Sequence, residues 1–119
     1  MNNYEHTIIL RKDISNSQQN TIIEKYTKLI EKNNGKIMQT QIWGLMNLSY
    51  IIKKNRKGHY IHFKIEGDGN LIKDLEKNEK IDKNILKYLT IKVKKHDLDT
   101  NYFAKNDDYD KKKFERGNN

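Results

Sequence analysis

Residues 35–66 read GKIMQTQIWGLMNLSYIIKKNRKGHYIHFKIE, and the fold turns on this stretch. Ile42, Trp43, Leu45, Met46, Leu48, Tyr50, Ile51 and Ile52 form an apolar run rich in β-formers. Lys53 to Gly58 is a polar turn, and Tyr60, Ile61, Phe63 and Ile65 alternate on the way back. Composition and period predict one long hairpin. Lys53, Lys54, Arg56 and Lys57 then sit at its tip. A bulge near Gly44 would change the alternation of the first strand.

Upstream, Tyr4 to Arg11 alternates as a strand, with Tyr4, His6, Ile8 and Leu10 on one face and Glu5, Thr7 and Arg11 on the other. Ser15 and Gln18 have the spacing of a capping box. A helix follows, whose Ile22, Ile23, Tyr26, Leu29 and Ile30 make one stripe at helical period before Asn33-Asn34-Gly35 stops it. Downstream, Gly67 to Asn70 is a loop able to cap a short helix with Leu71, Ile72 and Leu75 as its apolar face. Periodicity fades by Asn78. Residues 85–93 form the last strand, with Ile85, Leu89, Ile91 and Val93 on one face and Leu86 and Tyr88 on the other.

The order is β-α-β-β-α-β, an α+β class chain with the split, ferredoxin-like arrangement. Four antiparallel strands then carry both helices on one face. The strands hold more apolar residues than that face can cover, so the other face is expected to dock a protein. Trp43, Leu45, Ile51 and Tyr88 are the candidates for that contact.

The chain has 119 residues, enough for one domain, here expected over 1–93, with a charged, flexible tail over 94–119. The formal net charge is +8, of which +7 falls in residues 1–93. A folded cationic surface points to a polyanion. The absence of Cys excludes disulfides, a thiolate metal site and a cysteine nucleophile. Apolar runs are too short to span a bilayer and no secretory segment opens the chain, so a cytoplasmic protein without a membrane role is expected.

Catalytic chemistry has little support. His59 and His62 lie three apart on one strand and face opposite ways, while His6 and His96 are on other segments, a poor spacing for a metal. Ser15 and Ser17 read as capping residues, and Ser49 lacks the sharp turn that exposes a nucleophile. Gly67-Asp68-Gly69-Asn70 lacks the glycine and lysine pattern of a phosphate loop, and Asp68 would repel phosphate. No enzyme, cofactor or small-molecule substrate is expected.

The same element order serves RNA-recognition motifs, whose third strand carries stacking aromatics. Here His59, Ile61 and Lys64 occupy those places. Binding through cations to the RNA backbone is the better reading. Two groups stand out: the tip residues Lys53, Lys54, Arg56 and Lys57, and Lys87, Lys92, Lys94 and Lys95 on and after the last strand. Solvation and edge protection are the rival explanations for both.

Several residues together resemble the bacterial small-subunit ribosomal protein S-six family. They are Tyr4-Glu5, Gly35, Gly44 with Leu48-Ser49-Tyr50 and Ile52-Lys53, Gly58 with the following aromatic, and Ile85 to Lys92. Met46 and Asn47 replace the family's usual basic pair, Ile51 its proline, and Lys87 an arginine. The resemblance implies a ribosome-associated structural protein that binds the central domain of small-subunit ribosomal RNA, paired with ribosomal protein S-eighteen. It also implies that Tyr4, Lys87 and Lys92 keep an RNA-binding role. The alternatives are a protein-interaction module whose charge only aids solubility, and a phosphatase-like enzyme of the same topology. The enzyme would need glycine in the loop after the first strand, where Arg11-Lys12-Asp13-Ile14 has none.

Overall fold

The computed structural model describes residues 1–98. Its elements are β1 (Asn2–Arg11), α1 (Asn16–Lys32), β2 (Lys36–Ile52), β3 (Asn55–Gly67), α2 (Gly69–Ile81) and β4 (Ile85–Val93). All strand pairs are antiparallel and the sheet order is β2-β3-β1-β4, so the two halves of the chain interleave through β1 and β3. This is the ferredoxin-like arrangement expected from the element order, with both helices packed on one face.

Local chemistry sets the helix ends. Ser15 Oγ accepts from the Gln18 backbone N–H and the Gln18 side chain accepts from the Ser15 N–H, so two otherwise orphaned donors are satisfied reciprocally. Asn34 adopts the left-handed φ of 63° that ends α1. Asp68 caps α2 by accepting from Leu71 N–H at 2.9 Å. α2 runs on to Ile81, beyond the point at Asn78 where the apolar period fades. The stripe continues through a carboxylate: Leu71, Ile72, Leu75 and Glu79 are its buried residues.

The core lies between the helices and the odd-numbered residues of β3. Ile61, Phe63 and Ile65 pack with Ile8 and Leu10 of β1, Ile22, Tyr26 and Ile30 of α1, and Leu71 and Leu75 of α2. His6 points into this core and is fully buried. Its Nδ1–H donates to Thr90 Oγ1 at 2.6 Å, because the Thr90 hydroxyl proton is committed to Glu76 at 2.7 Å. Its Nε2 lies 2.8 and 2.7 Å from the two oxygens of Glu79. One proton shared across that contact satisfies both groups. Burial pushes the Glu79 carboxyl up, and the hydrogen bond to His6 opposes the rise.

Bulges revise the alternation. Register shifts occur between Ile37 and Gln39 and between Ile42 and Gly44, where Gly44 has φ 93°. In β4 the shift at Leu86 returns Ile85 to the core. The expectation that Ile85 shares a face with Leu89, Ile91 and Val93 is thereby corrected: one extra residue exchanges the two faces. Tyr88 falls on the helix-covered face, packed against the core, and its ring centroid is 6.4 Å from that of His6. The hairpin turn is tighter than the polar run suggested. Ile52 pairs with Asn55, and the two residues between them, Lys53 and Lys54, have φ of 47° and 67°. Two positive φ values are what a two-residue turn between twisted strands demands.

After β4 the chain turns back over the sheet face opposite the helices. Asn3 donates to Lys94 O at 3.0 Å, His96 Nε2 donates to Ile65 O at 2.9 Å, and Gln39 donates to Leu98 O at 3.1 Å. Lys64, fully buried, donates to Asp97 O. Residues 94–98 are thus a strap across the open face, although the sequence assigned them to the tail. The tail aromatics Tyr102, Phe103, Tyr109 and Phe114 lie outside the described residues.

Candidate nucleic-acid interface

The last pair between β1 and β3 is Arg11 with Gly58, and beyond it β2 and β3 continue as a two-stranded arm. Asn55 anchors this arm, accepting from Lys12 N–H at 3.2 Å and donating to Lys53 O at 2.9 Å. The arm reaches the start of β4. There Lys87 Nζ donates to Tyr50 Oη at 3.1 Å. A groove of about 280 Å³ opens at this corner, lined by Lys53 of the turn, Glu79 and Lys80 of α2, and Ile85, Leu86, Lys87 and Tyr88 of β4. Two cation groups far apart in sequence therefore meet, and Lys80 joins them.

The group Lys87, Lys92, Lys94 and Lys95 is divided by the pleat. Lys87 lies beside Ile9 on the open face, whereas Lys92 pairs with Tyr4 on the helix side. Five residues along a strand separate them by about 17 Å. At that far end Lys92 and Lys94 line a second hollow with Met1, Asn2, Asn3 and Val93, of about 390 Å³. Lys95 is exposed beside it. The arrangement is a cationic rim along the β4 edge, with Lys53, Lys80 and Lys87 at one end and Lys92, Lys94 and Lys95 at the other. Lys54, Arg56 and Lys57 are exposed on the arm. Tyr4 is not part of this surface as a ring: it is buried in the core, and its hydroxyl accepts from Asn2 at 3.3 Å.

The apolar candidates also separate. Trp43 lies on the open face, its ring stacked on His62 at 4.8 Å between centroids and its Nε1 donating to Gln41 at 2.8 Å. Leu45 pairs with His59 and is half exposed, and Ile51 is exposed on the arm. Tyr88 is on the other side of the sheet from Trp43. Leu89 and Ile91, 54% and 53% exposed, are the large apolar residues that β4 leaves uncovered on the open face. They were legible as an alternating pair, yet the missed bulge grouped them with buried Ile85. Lys80 carried no signal beyond its charge, because only packing brings the end of α2 to the β2–β3 turn.

His62 sits between Thr7 and Glu5 on the open face, 2.8 Å from Thr7 Oγ1 and 3.1 Å from Glu5 Oε1. A neutral ring satisfies both, accepting from Thr7 at Nδ1 and donating to Glu5 at Nε2. Burial under Trp43 pushes the imidazole below its ordinary value, and Lys64 and His6 add to the shift against the pull of Glu5. A histidine lowered by folding binds its proton more readily in the unfolded chain. Stability is therefore complete above pH ~6.5 and falls as pH drops below it, by at most about 1.4 kcal/mol per unit for this group. Urea titrations between pH 7.5 and 5 should show that slope reduced by His62→Gln. An unchanged slope would place the acid sensitivity elsewhere.

The family model for ribosomal protein S6 matches residues 3–92. The small ribosomal subunit protein bS6 of Pelagibacter ubique is 58% identical over 116 residues, covering 98% of this chain and 96% of the relative. The bS6 protein of Bartonella bacilliformis is 36% identical over 107 residues, covering 90% and 79%. Among solved structures, the 30S ribosomal protein S6 of Thermotoga maritima superposes with a TM-score of 0.73 at 25% identity, covering 77% of this chain and 87% of that one. The matched span begins within β1 and ends within β4, so it takes in both helices, the hairpin arm and the β4 rim. The chain belongs to the ribosomal protein S6 family.

Proposed function

We propose that this chain is a structural constituent of the small ribosomal subunit, binding the central domain of small-subunit ribosomal RNA together with ribosomal protein S-eighteen. The observation that carries the reading is the corner where Lys53, Lys80 and Lys87 line one groove. Three cations from a turn, a helix end and an edge strand converge without a carboxylate at the surface, since the Glu79 side chain is fully buried against His6. Such a corner neutralises phosphates, and the rim along β4 extends the contact. Its part is binding and positioning, with no chemical step, at the ribosome in the cytoplasm. The exposed Leu45 of β2, Ile51 of the arm, and Leu89 and Ile91 of β4 are the apolar area for the protein partner.

Affinity for a central-domain RNA fragment, measured with the partner present, should fall steeply as salt rises, with a log–log slope set by the number of phosphates neutralised. A flat response would count against this mode of binding. The other reading, a protein-interaction module that does not touch RNA, draws on Leu89 and Ile91. It predicts that the chain stays with a protein complex after nuclease treatment of a lysate.

A further inference from the structure

We infer that residues 94–98 are a lid over the open face of the sheet, closed in the free chain and lifted when the protein partner docks. The inference rests on the partner proposed above and not on the RNA. After Val93 the chain crosses the sheet from edge to edge and meets the strands in the order in which they lie. Asn3 of β1 donates to Lys94 O at 3.0 Å, His96 donates to Ile65 O of β3 at 2.9 Å, Lys64 of β3 donates to Asp97 O, and Gln39 of β2 donates to Leu98 O at 3.1 Å. These ties are hydrogen bonds. Residues 94–98 form no strand, and only His96 among them is half-buried, while Lys94, Lys95, Asp97 and Leu98 are exposed. A segment without a buried apolar anchor opens at small cost, since water replaces each hydrogen bond it gives up.

Two features of the closed state favour opening. With Nε2 donating to Ile65 O, His96 Nδ1 is buried without a hydrogen-bond partner, and lifting the lid returns it to water. Lys64 beneath the lid is fully buried, and its ammonium regains hydration once uncovered, in exchange for Asp97 O. The covered ground is also ground that the partner needs. Ile91, Glu5, Lys64 and Gln39 form one row across the four strands, and Leu89, Thr7, His62 and Gln41 form the next. The strap thus lies over the row that begins with exposed Ile91. An ordinary interface covers about 800 Å² on each partner. Four strands of about ten residues present a face of only roughly 650 Å². A partner seated on Leu89 and Ile91 therefore reaches the strapped end, and the lid must lift to admit it.

The chain has no cysteine, so Gln39→Cys with Leu98→Cys provides a unique pair for a short bis-maleimide that a reductant cleaves. With the bridge intact, affinity for ribosomal protein S-eighteen in the absence of RNA should fall by about 10-fold or more, and cleavage should restore it. Equal affinity in the two states overturns the inference. Opening itself is read from acylation of Lys64 by an amine reagent, followed by mass spectrometry of the full chain. Lys64 should react more slowly than the exposed lysines, and the intact bridge should slow it further. Asn3→Ala with His96→Ala removes two of the ties and should speed the reaction about 10-fold while the urea midpoint of unfolding stays in place. A Lys64 that reacts only at the rate of global unfolding, bridged or cleaved, overturns the lid. No binding by the unsubstituted chain would remove the proposed partner instead, and the Lys64 rates would then decide the lid alone.

Discussion

Glu79→Ala is expected to lower the free energy of unfolding by about 3 to 5 kcal/mol, because it leaves His6 without the partner of its Nε2 inside a closed core. Both side chains have zero accessible surface, so water cannot replace the lost contact. The effect should propagate to both neighbours of the ring: Thr90 Oγ1 accepts from His6 on one side, and α2 is held to β1 through Glu79 on the other. Urea denaturation followed by circular dichroism measures it, with the m-value showing whether the native state stays as compact. Glu79→Gln keeps a polar group at the same reach and should cost distinctly less. Equal losses for the two variants would mean that the shared proton, not the filled volume, carries the energy.

The triple change Lys53→Ala, Lys80→Ala, Lys87→Ala should weaken binding of the central-domain fragment on the order of 100-fold at low salt and reduce the salt slope by about 2 to 3. All three lysines are exposed, so the fold and the unfolding midpoint should hardly move. Filter binding or fluorescence anisotropy across a salt series, with the partner protein present, reads both quantities. Lys92→Ala, Lys94→Ala, Lys95→Ala tests the other end of the rim. A loss confined to that second set would move the RNA surface away from the hairpin corner.

Much of the fold was legible because its signals are local. The capping box at Ser15 and Gln18, the αL stop at Asn34 and the alternation of β1 each arise within a few residues. The faces of β2 and β4 were not, because a bulge inserts one residue and can be located only where the sequence carries a local mark of it. Gly44 was such a mark for β2, but Leu86 offers none. The end of α2 was missed for another reason: Glu79 reads as a surface residue until its partner His6, 73 positions away, is known.

The candidate site shows the same division. Charge identified Lys53 and Lys87 as cations on exposed segments, but it placed them in separate groups and attached Lys87 to Lys92. The pleat sends those two lysines to opposite sides of β4, and the curl of the arm brings Lys53 to Lys87. The hairpin of residues 35–66, the element order and the basic surface were determined by the sequence itself, since they follow from period, composition and turn chemistry along the chain. Which cations share a groove, which apolar residues stay exposed and where the strap of residues 94–98 lies were decided only by tertiary structure. Those outcomes depend on strand register and on contacts between distant segments, which no local pattern encodes.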